Sequence, residues 1–277
     1  MSETAPEVSV VMPCLDEAET IAACIEKART AIERHDLRAE IVVADNGSVD
    51  GSPAIARACG ARCISEPTRG YGAALMAGIR AAEGSLVVMG DADDTYDFSA
   101  IHRFIAELRA GADLVVGCRL PSGGGTIRSG AMPWSHRWIG VPLLSATARV
   151  LFGGRVRDFH CGLRAFRREA VLALDLRATG MEFASEMLIR GTIAGLRITE
   201  VPVTLSRGGR SRRPHLRAWR DGWRHLLLML RCAIDQRRTR ALVSRSVPAP
   251  DEIEAGEQHG EQGKEGRRAR QAIGRDD

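Results

Sequence analysis

"SLVVMGDADDTYDFSAIHRFIAELRAG", Ser85 to Gly111, reads as a strand, an acidic turn and a helix in immediate succession. Val87 to Met89 are apolar without alternation, as in a strand covered on both faces. Gly90 ends the run, and four of the next seven residues are Asp91, Asp93, Asp94 and Asp97. Asp97 or Ser99 can cap the next helix.

The same unit recurs on either side. "VSVVMP" is followed by "DEAETIAACIEKARTAIE", "AEIVVADNGS" by "SVDGSPAIARACG", and "ARCISE" by "GYGAALMAGIRAAEG". "DLVVGCR" is a fifth strand after the helix ending at Gly111. Strands alternating with helices predict an α/β fold with a mainly parallel, Rossmann-like sheet and helices on both faces. Ligands of such sheets sit outside the carboxyl ends of the strands. The residues expected at that edge are Pro13, Asp16 and Glu17, then Asp45, Asn46 and Ser48, then Arg69 and Gly70, then Asp91, Asp93 and Asp94, then Arg119. One such cluster is ordinary turn chemistry. Five together predict a site.

The i, i+2 pair Asp91 and Asp93 comes directly after a buried strand, so its two carboxylates repel unless a cation lies between them. Magnesium commonly takes one or two carboxylates and completes its shell with phosphate oxygens and water. The spacing therefore points to a divalent ion, Mg²⁺ or Mn²⁺, holding a diphosphate.

Composition is that of an ordinary globular protein: 277 residues, 44% hydrophobic, 27% charged, net charge +4. Lysine occurs only at Lys27 and Lys264, so the cationic groups are nearly all guanidinium. The seven cysteines form no CxxC pair, which predicts reduced thiols in a cytosolic compartment. No stretch approaches the roughly 20 apolar residues that span a bilayer. Residues 1–6 read as an extension, 7–230 as the folded domain, divided at 119/120, and 246–277 as a disordered polar tail.

Five blocks, "VSVVMPCLDEAETI", "IVVADNGSVDGS", "EPTRGYGAALMAGIRAAEG", "VVMGDADDTY" and "DFHCGLRAFRREAV", together resemble the family 2 glycosyltransferases of the GT-A fold. Among them the chain looks most like the dolichyl- or polyprenyl-phosphate mannose and glucose synthases, from about Val8 to Leu230. The resemblance implies that Pro13, Asp16 and Glu17 shape the base and ribose pocket of a nucleotide sugar of the GDP-mannose or UDP-glucose class. Asp45 would accept a hydrogen bond from the base, with Asn46 and Ser48 beside it, and Arg69 and Gly70 would lie near the diphosphate. Asp91 and Asp93 would bind nucleotide and metal, with Asp93 counted among the catalytic groups. Where close relatives often carry a further metal-binding Gln, this chain has Thr95.

A hydroxyl acceptor needs a general base, whereas a phosphate acceptor is already an anion and needs cationic groups to hold it. Arg119, Ser135, Arg137, Arg164 and Arg207 are the expected acceptor-binding residues, with Arg164 and Arg207 also counted as catalytic; Arg128 and Arg210 are further candidates. In the alternative of a hydroxyl acceptor, Glu182 or Glu186 would be the base, although either could instead neutralise nearby arginines. From Arg207 to Arg245 there are twelve arginines against Asp221 and Asp235. With Trp134, Trp138, Trp219 and Trp223 interleaved among basic residues, the pattern suits peripheral contact with an anionic membrane surface, at its cytoplasmic face. A nucleic-acid partner is not expected, because the strand-end acids would repel a phosphate backbone.

Overall fold

The computed structural model describes residues 5–134, 136–154, 156–209, 211 and 223–235. The chain divides into units 1–233 and 234–277, of which the second contributes only Ile234 and Asp235 to the described residues. The tail expected from residue 246 lies outside them.

The elements come in the order the pattern predicts. They are β1 (Val8–Cys14), α1 (Ile21–Arg34), β2 (Ala39–Asp45), α2 (Ser52–Ala58), β3 (Arg62–Ser65), α3 (Tyr71–Ala81), β4 (Leu86–Met89), α4 (Ile101–Arg109) and β5 (Leu114–Cys118). The second half holds β6 (Thr126–Ile127), α5 (Val141–Phe152), β7 (Arg164–Arg167), α6 (Arg168–Leu172), α7 (Phe183–Ile193), β8 (Ile198–Pro202) and β9 (Thr204–Leu205). Residues 223–235 are also helical.

Seven strands form one sheet in the order β3-β2-β1-β4-β7-β5-β8, and β6 pairs with β9 in a second. All pairings in the large sheet are parallel except those of β7, which runs antiparallel between β4 and β5. All seven residues of β1, Ser9 among them, and all four of the apolar β4 are buried. Helix α1 contacts both α2 and α4, and α7 contacts both α3 and α5. α4 shows how they attach: Ile101, Phe104, Ile105 and Leu108, on one helical face, are all buried. Burial of each contributes about 1.5–3 kcal/mol before entropy costs.

Strand order reverses between β1 and β4, because β2 and β3 lie on one side of β1 and β4 on the other. That reversal is the switch point at which open α/β sheets bind ligands, outside the carboxyl ends of the strands. The aspartate turn after β4 stands at it. β7 matters differently. Its antiparallel register sets Arg164 opposite both Met89 and Val116, so Arg164 begins where β4 finishes and beside the middle of β5.

Candidate active site

The loops after β1, β2 and β3 are latched together by their own side chains. Asp45, nearly buried, accepts from the amides of Gly47 and Ser48 at 3.2 Å each, closing the turn after β2. Ser48 Oγ accepts from the Asp16 amide at 2.7 Å, and Asp16 Oδ1 accepts from the Val49 amide at 2.7 Å. The Glu17 amide donates to Ser52 Oγ at 2.8 Å, and its carboxylate accepts from Thr20 Oγ1 at 3.3 Å. Pro13 is buried within β1, paired with Ala44. Asn46 reaches furthest: Nδ2 donates to the carbonyls of Glu66 and Thr68, and Oδ1 accepts from the Gly70 amide at 2.7 Å. The β3–α3 loop is thereby fixed over the β2 turn. Exposed Arg69, carried on that loop, has its guanidinium carbon 3.4 Å from where a Cβ on Gly47 would lie.

Gly70 has φ +145°, and a Cβ there would meet the Thr179 carbonyl oxygen at 2.1 Å. Only glycine fits this approach. The same carbonyl accepts from the amides of Gly72 and Ala73, so the start of α3 is wound around it.

In the acidic turn the four aspartates separate by role. Asp91 Oδ1 accepts from Tyr71 Oη at 2.7 Å. Burial, reinforced by Asp91, pushes the Tyr71 phenol well above its usual range, so it stays a donor. Asp93 is 8% exposed, and its Oδ1 accepts from both the amide and the hydroxyl of Thr95. Thr95 thus orients the Asp93 carboxylate. Asp94, with φ +61°, pairs with Lys27 at 2.6 Å. Asp97 accepts from the Ser99 amide at 3.0 Å and caps the short turn ahead of α4, as expected.

A strap crosses this turn. Tyr96 bridges to Leu205, the Ser206 amide donates to the Thr95 carbonyl at 2.8 Å, and the Gly209 amide donates to the Asp93 carbonyl at 3.1 Å. Ser211 donates from both amide and hydroxyl to the two Glu19 carboxylate oxygens at 2.6 Å. Exposed Arg207 sits between these anchors.

Two arginines expected to bind the acceptor are buried. Arg164 is 0% exposed and holds no exposed phosphate site. Its guanidinium donates to the carbonyls of Cys161, Ala184 and Phe159, pinning the 159–161 loop. Arg119 is likewise buried, in a fork with Asp158 at 2.7 Å from both Nε and Nη2. Burial opposes the Arg119 charge, but Tyr96 and Asp158 more than restore it; conversely Arg119 outweighs the burial that would raise Asp158. Glu186 is 2% exposed and neutralises an arginine, one of the two roles expected of it. One oxygen accepts from the amides of Arg177 and Ala178, the other from Arg190 Nε.

Glu182 differs. Its Oε1 accepts from Arg224 at 2.8 Å, while Oε2 is buried with no hydrogen-bond partner among the described residues. Arg137 donates weakly to the Ile127 carbonyl at 3.5 Å and lies 5.2 Å over Trp138; its Nε is buried without a partner among the described residues. Arg128 is exposed. Ser135, Arg210 and Trp219 lie outside the described residues.

A polar cluster not foreseen in the sequence sits behind the 158–162 loop. Ser185 Oγ lies 3.3 Å from His160 Nδ1 and 2.9 Å from His225 Nδ1. Burial, then the fields of His225 and Arg119, lowers His160 to about 3. Tyr71 inside "RGYG", Tyr96 inside "DDTYD" and Asp158 inside "RDFHCG" are further residues that sequence reasoning misses, although each adjoins a quoted motif. Lys27 has a visible signal, being one of two lysines.

Among the described residues, no three His, Cys, Asp or Glu side chains are grouped to hold a metal ion. Asp91 and Asp93 offer the two carboxylates that Mg²⁺ or Mn²⁺ commonly takes when a diphosphate and water complete the shell. The residues present fit such an ion.

Comparison with known proteins agrees with this geometry. The family model "Glycosyl transferase family 2" matches residues 9–174. The chain is 41% identical over 230 residues to the low-salt glycan biosynthesis hexosyltransferase Agl6 of Haloferax volcanii, covering 83% of this chain and 54% of that one. It therefore spans about half the length of that relative. A dolichyl-phosphate hexose transferase of the same organism is 36% identical over 202 residues, covering 72% of this chain and 83% of that one. Among solved structures, glucosyl-3-phosphoglycerate synthase from Mycobacterium tuberculosis, in complex with Mn²⁺, UDP and glucosyl-3-phosphoglycerate, matches with TM-score 0.60 and 26% identity over 88% of this chain and 82% of that one.

Proposed function

Because the chain belongs to glycosyl transferase family 2, we propose that it transfers a hexose from a nucleotide diphosphate sugar to a polyprenyl phosphate. The observation that carries this reading is Arg207, an exposed guanidinium on a strap hydrogen-bonded to the backbone of Asp93 and Thr95. A cation beside a donor-binding turn suits an acceptor that is itself an anion. Arg137 Nε, buried without a partner among the described residues, is a second donor group on the acceptor side.

Asp16, Glu17, Asp45, Asn46 and Ser48 shape the nucleoside end, and Arg69 faces the diphosphate. Asp91 and Asp93 would hold Mg²⁺ or Mn²⁺, which supplies charge neutralisation at the leaving diphosphate. An acceptor phosphate oxygen attacks the anomeric carbon as the bond from that carbon to the donor diphosphate breaks. The anomeric configuration inverts, the nucleoside diphosphate leaves, and no general base is required. The dolichyl-phosphate hexose transferase relative and the Mn²⁺–UDP complex of the solved neighbour support the acceptor class and the metal.

Among the described residues no helix is long and apolar enough to cross a membrane. Trp138 is 57% and Trp223 62% exposed, with Leu143 and Leu230 also outward. These residues would rest on the anionic lipid surface that presents the acceptor. The proposed setting is the inner face of the cell membrane.

A second reading has one observation in its favour. Glu182 Oε2, without a hydrogen-bond partner among the described residues, could take a proton from a hydroxyl acceptor. Incubation with Mn²⁺, UDP-glucose or GDP-mannose, and a short polyprenyl phosphate should yield a lipid-linked sugar. Transfer to hydroxyl acceptors alone would replace the first reading by the second.

A further inference from the structure

Asp91 is approached from two sides. From the donor side, Tyr71, the first residue of α3, donates its hydroxyl to Oδ1 at 2.7 Å. From the acceptor side, Gly162 leaves room for the carboxylate, since a Cβ there would stand 2.6 Å from Oδ2. The Gly162 amide is itself held by Tyr96 Oη at 3.0 Å. Tyr71 cannot drift, because every neighbour in its turn is pinned. Asn46 Oδ1 holds the Gly70 amide, and the Thr179 carbonyl holds the amides of Gly72 and Ala73. Thr179 comes directly after the Arg177–Ala178 amides that Glu186 clamps. The backbone that carries Arg69 is thus continuous with the residue that orients Asp91.

We propose that Tyr71 is a positioning residue of the donor site, whose hydroxyl fixes the Asp91 carboxylate and joins the Arg69–Gly70 loop to the metal-binding turn. The proposal rests on the assignment of Asp91 to nucleotide and metal. A phenylalanine would fill the same space without the hydroxyl, so the ring's packing is separable from its hydrogen bond. A hydrogen bond to a charged group contributes about 1.5–3 kcal/mol, which is about 10–100-fold in an equilibrium constant. That factor should appear in nucleotide–metal affinity and in the donor KM, and not in the acceptor KM.

The test is Mn²⁺ binding monitored by the electron paramagnetic resonance of the free ion, in the presence of UDP or of GDP. It compares wild type, Tyr71→Phe, Asp91→Ala and the double variant. Tyr71→Phe should weaken binding at least about tenfold, and the double variant should bind no more weakly than Asp91→Ala alone. Gly162→Ala, which crowds Asp91 without touching Tyr71, should weaken binding similarly and serves if Tyr71→Phe does not fold. Wild-type binding by Tyr71→Phe or by Gly162→Ala, with Asp91→Ala impaired, overturns the proposal and leaves the donor assignment standing. Wild-type binding by Asp91→Ala overturns both.

Discussion

The donor edge and the acceptor half use the same kinds of charged residue in opposite ways. At the donor edge, Asp16 and Asp91 each give an oxygen to a neighbouring loop, and Asp45 and Asp93 each give one to their own turn, all at or just after strand ends. In the acceptor half, Arg119, Arg164 and Glu186 are drawn inside and saturated by partners. For Arg164 the difference comes from the direction of its strand. Parallel strands deliver their succeeding loops to one edge of the sheet. β7 is antiparallel, so Arg164 begins a strand wedged between two others and its long side chain is enclosed. A position near the site is therefore not a position in it.

The sharpest way to break this contrast is Asp93→Ala. Turnover with a nucleotide sugar should fall at least about a thousandfold, measured as product formed at saturating Mn²⁺; retained activity would remove the aspartate turn from the chemistry. Next is Arg164→Ala. It strands three carbonyls and opens a cavity, so urea denaturation should show a loss of about 3–5 kcal/mol. A loss below about 0.5 kcal/mol, the range of surface substitutions, would mean that Arg164 is not structural. Arg207→Ala should do the reverse. Stability should stay within about 0.5 kcal/mol, while kcat/KM for an anionic acceptor falls about 10–100-fold.

A separate test of the buried acceptor half is its pH dependence. His160 titrates near 3 in the fold and near 6.5 when unfolded. The unfolded chain therefore takes up the proton first. The contribution is fully present above pH 6.5 and is lost as pH falls toward 3. His160→Asn should flatten the dependence of the urea midpoint on pH across that window. An unchanged slope would place the proton uptake elsewhere.

Much of the donor half is legible because two periodic signals coincide there. Apolar runs mark β1 to β5, and the polar residue after each run marks the edge. Asp97 as a cap is legible for the same local reason. The acceptor half is not. Arg119 can be recognised as a strand-end residue, but its partner Asp158 lies far along the chain, and nothing in "RDFHCG" marks it as a counter-ion. Arg164 has a visible motif, yet only the antiparallel register shows that it faces inward. Tyr71 escapes notice because a tyrosine opening a helix carries no chemical signature until Asp91 is found beside it.

The claim that an anionic acceptor defines this site is tested most directly by offering two lipids that differ in one group. Purified protein, Mn²⁺ and labelled UDP-glucose or GDP-mannose are incubated with a polyprenyl phosphate or with the corresponding polyprenol, using wild type and Glu182→Gln. Label should enter the phosphate lipid alone, at similar rates in both proteins. Label on the alcohol, lost in Glu182→Gln, would contradict the account and make Glu182 the base of a hydroxyl transferase.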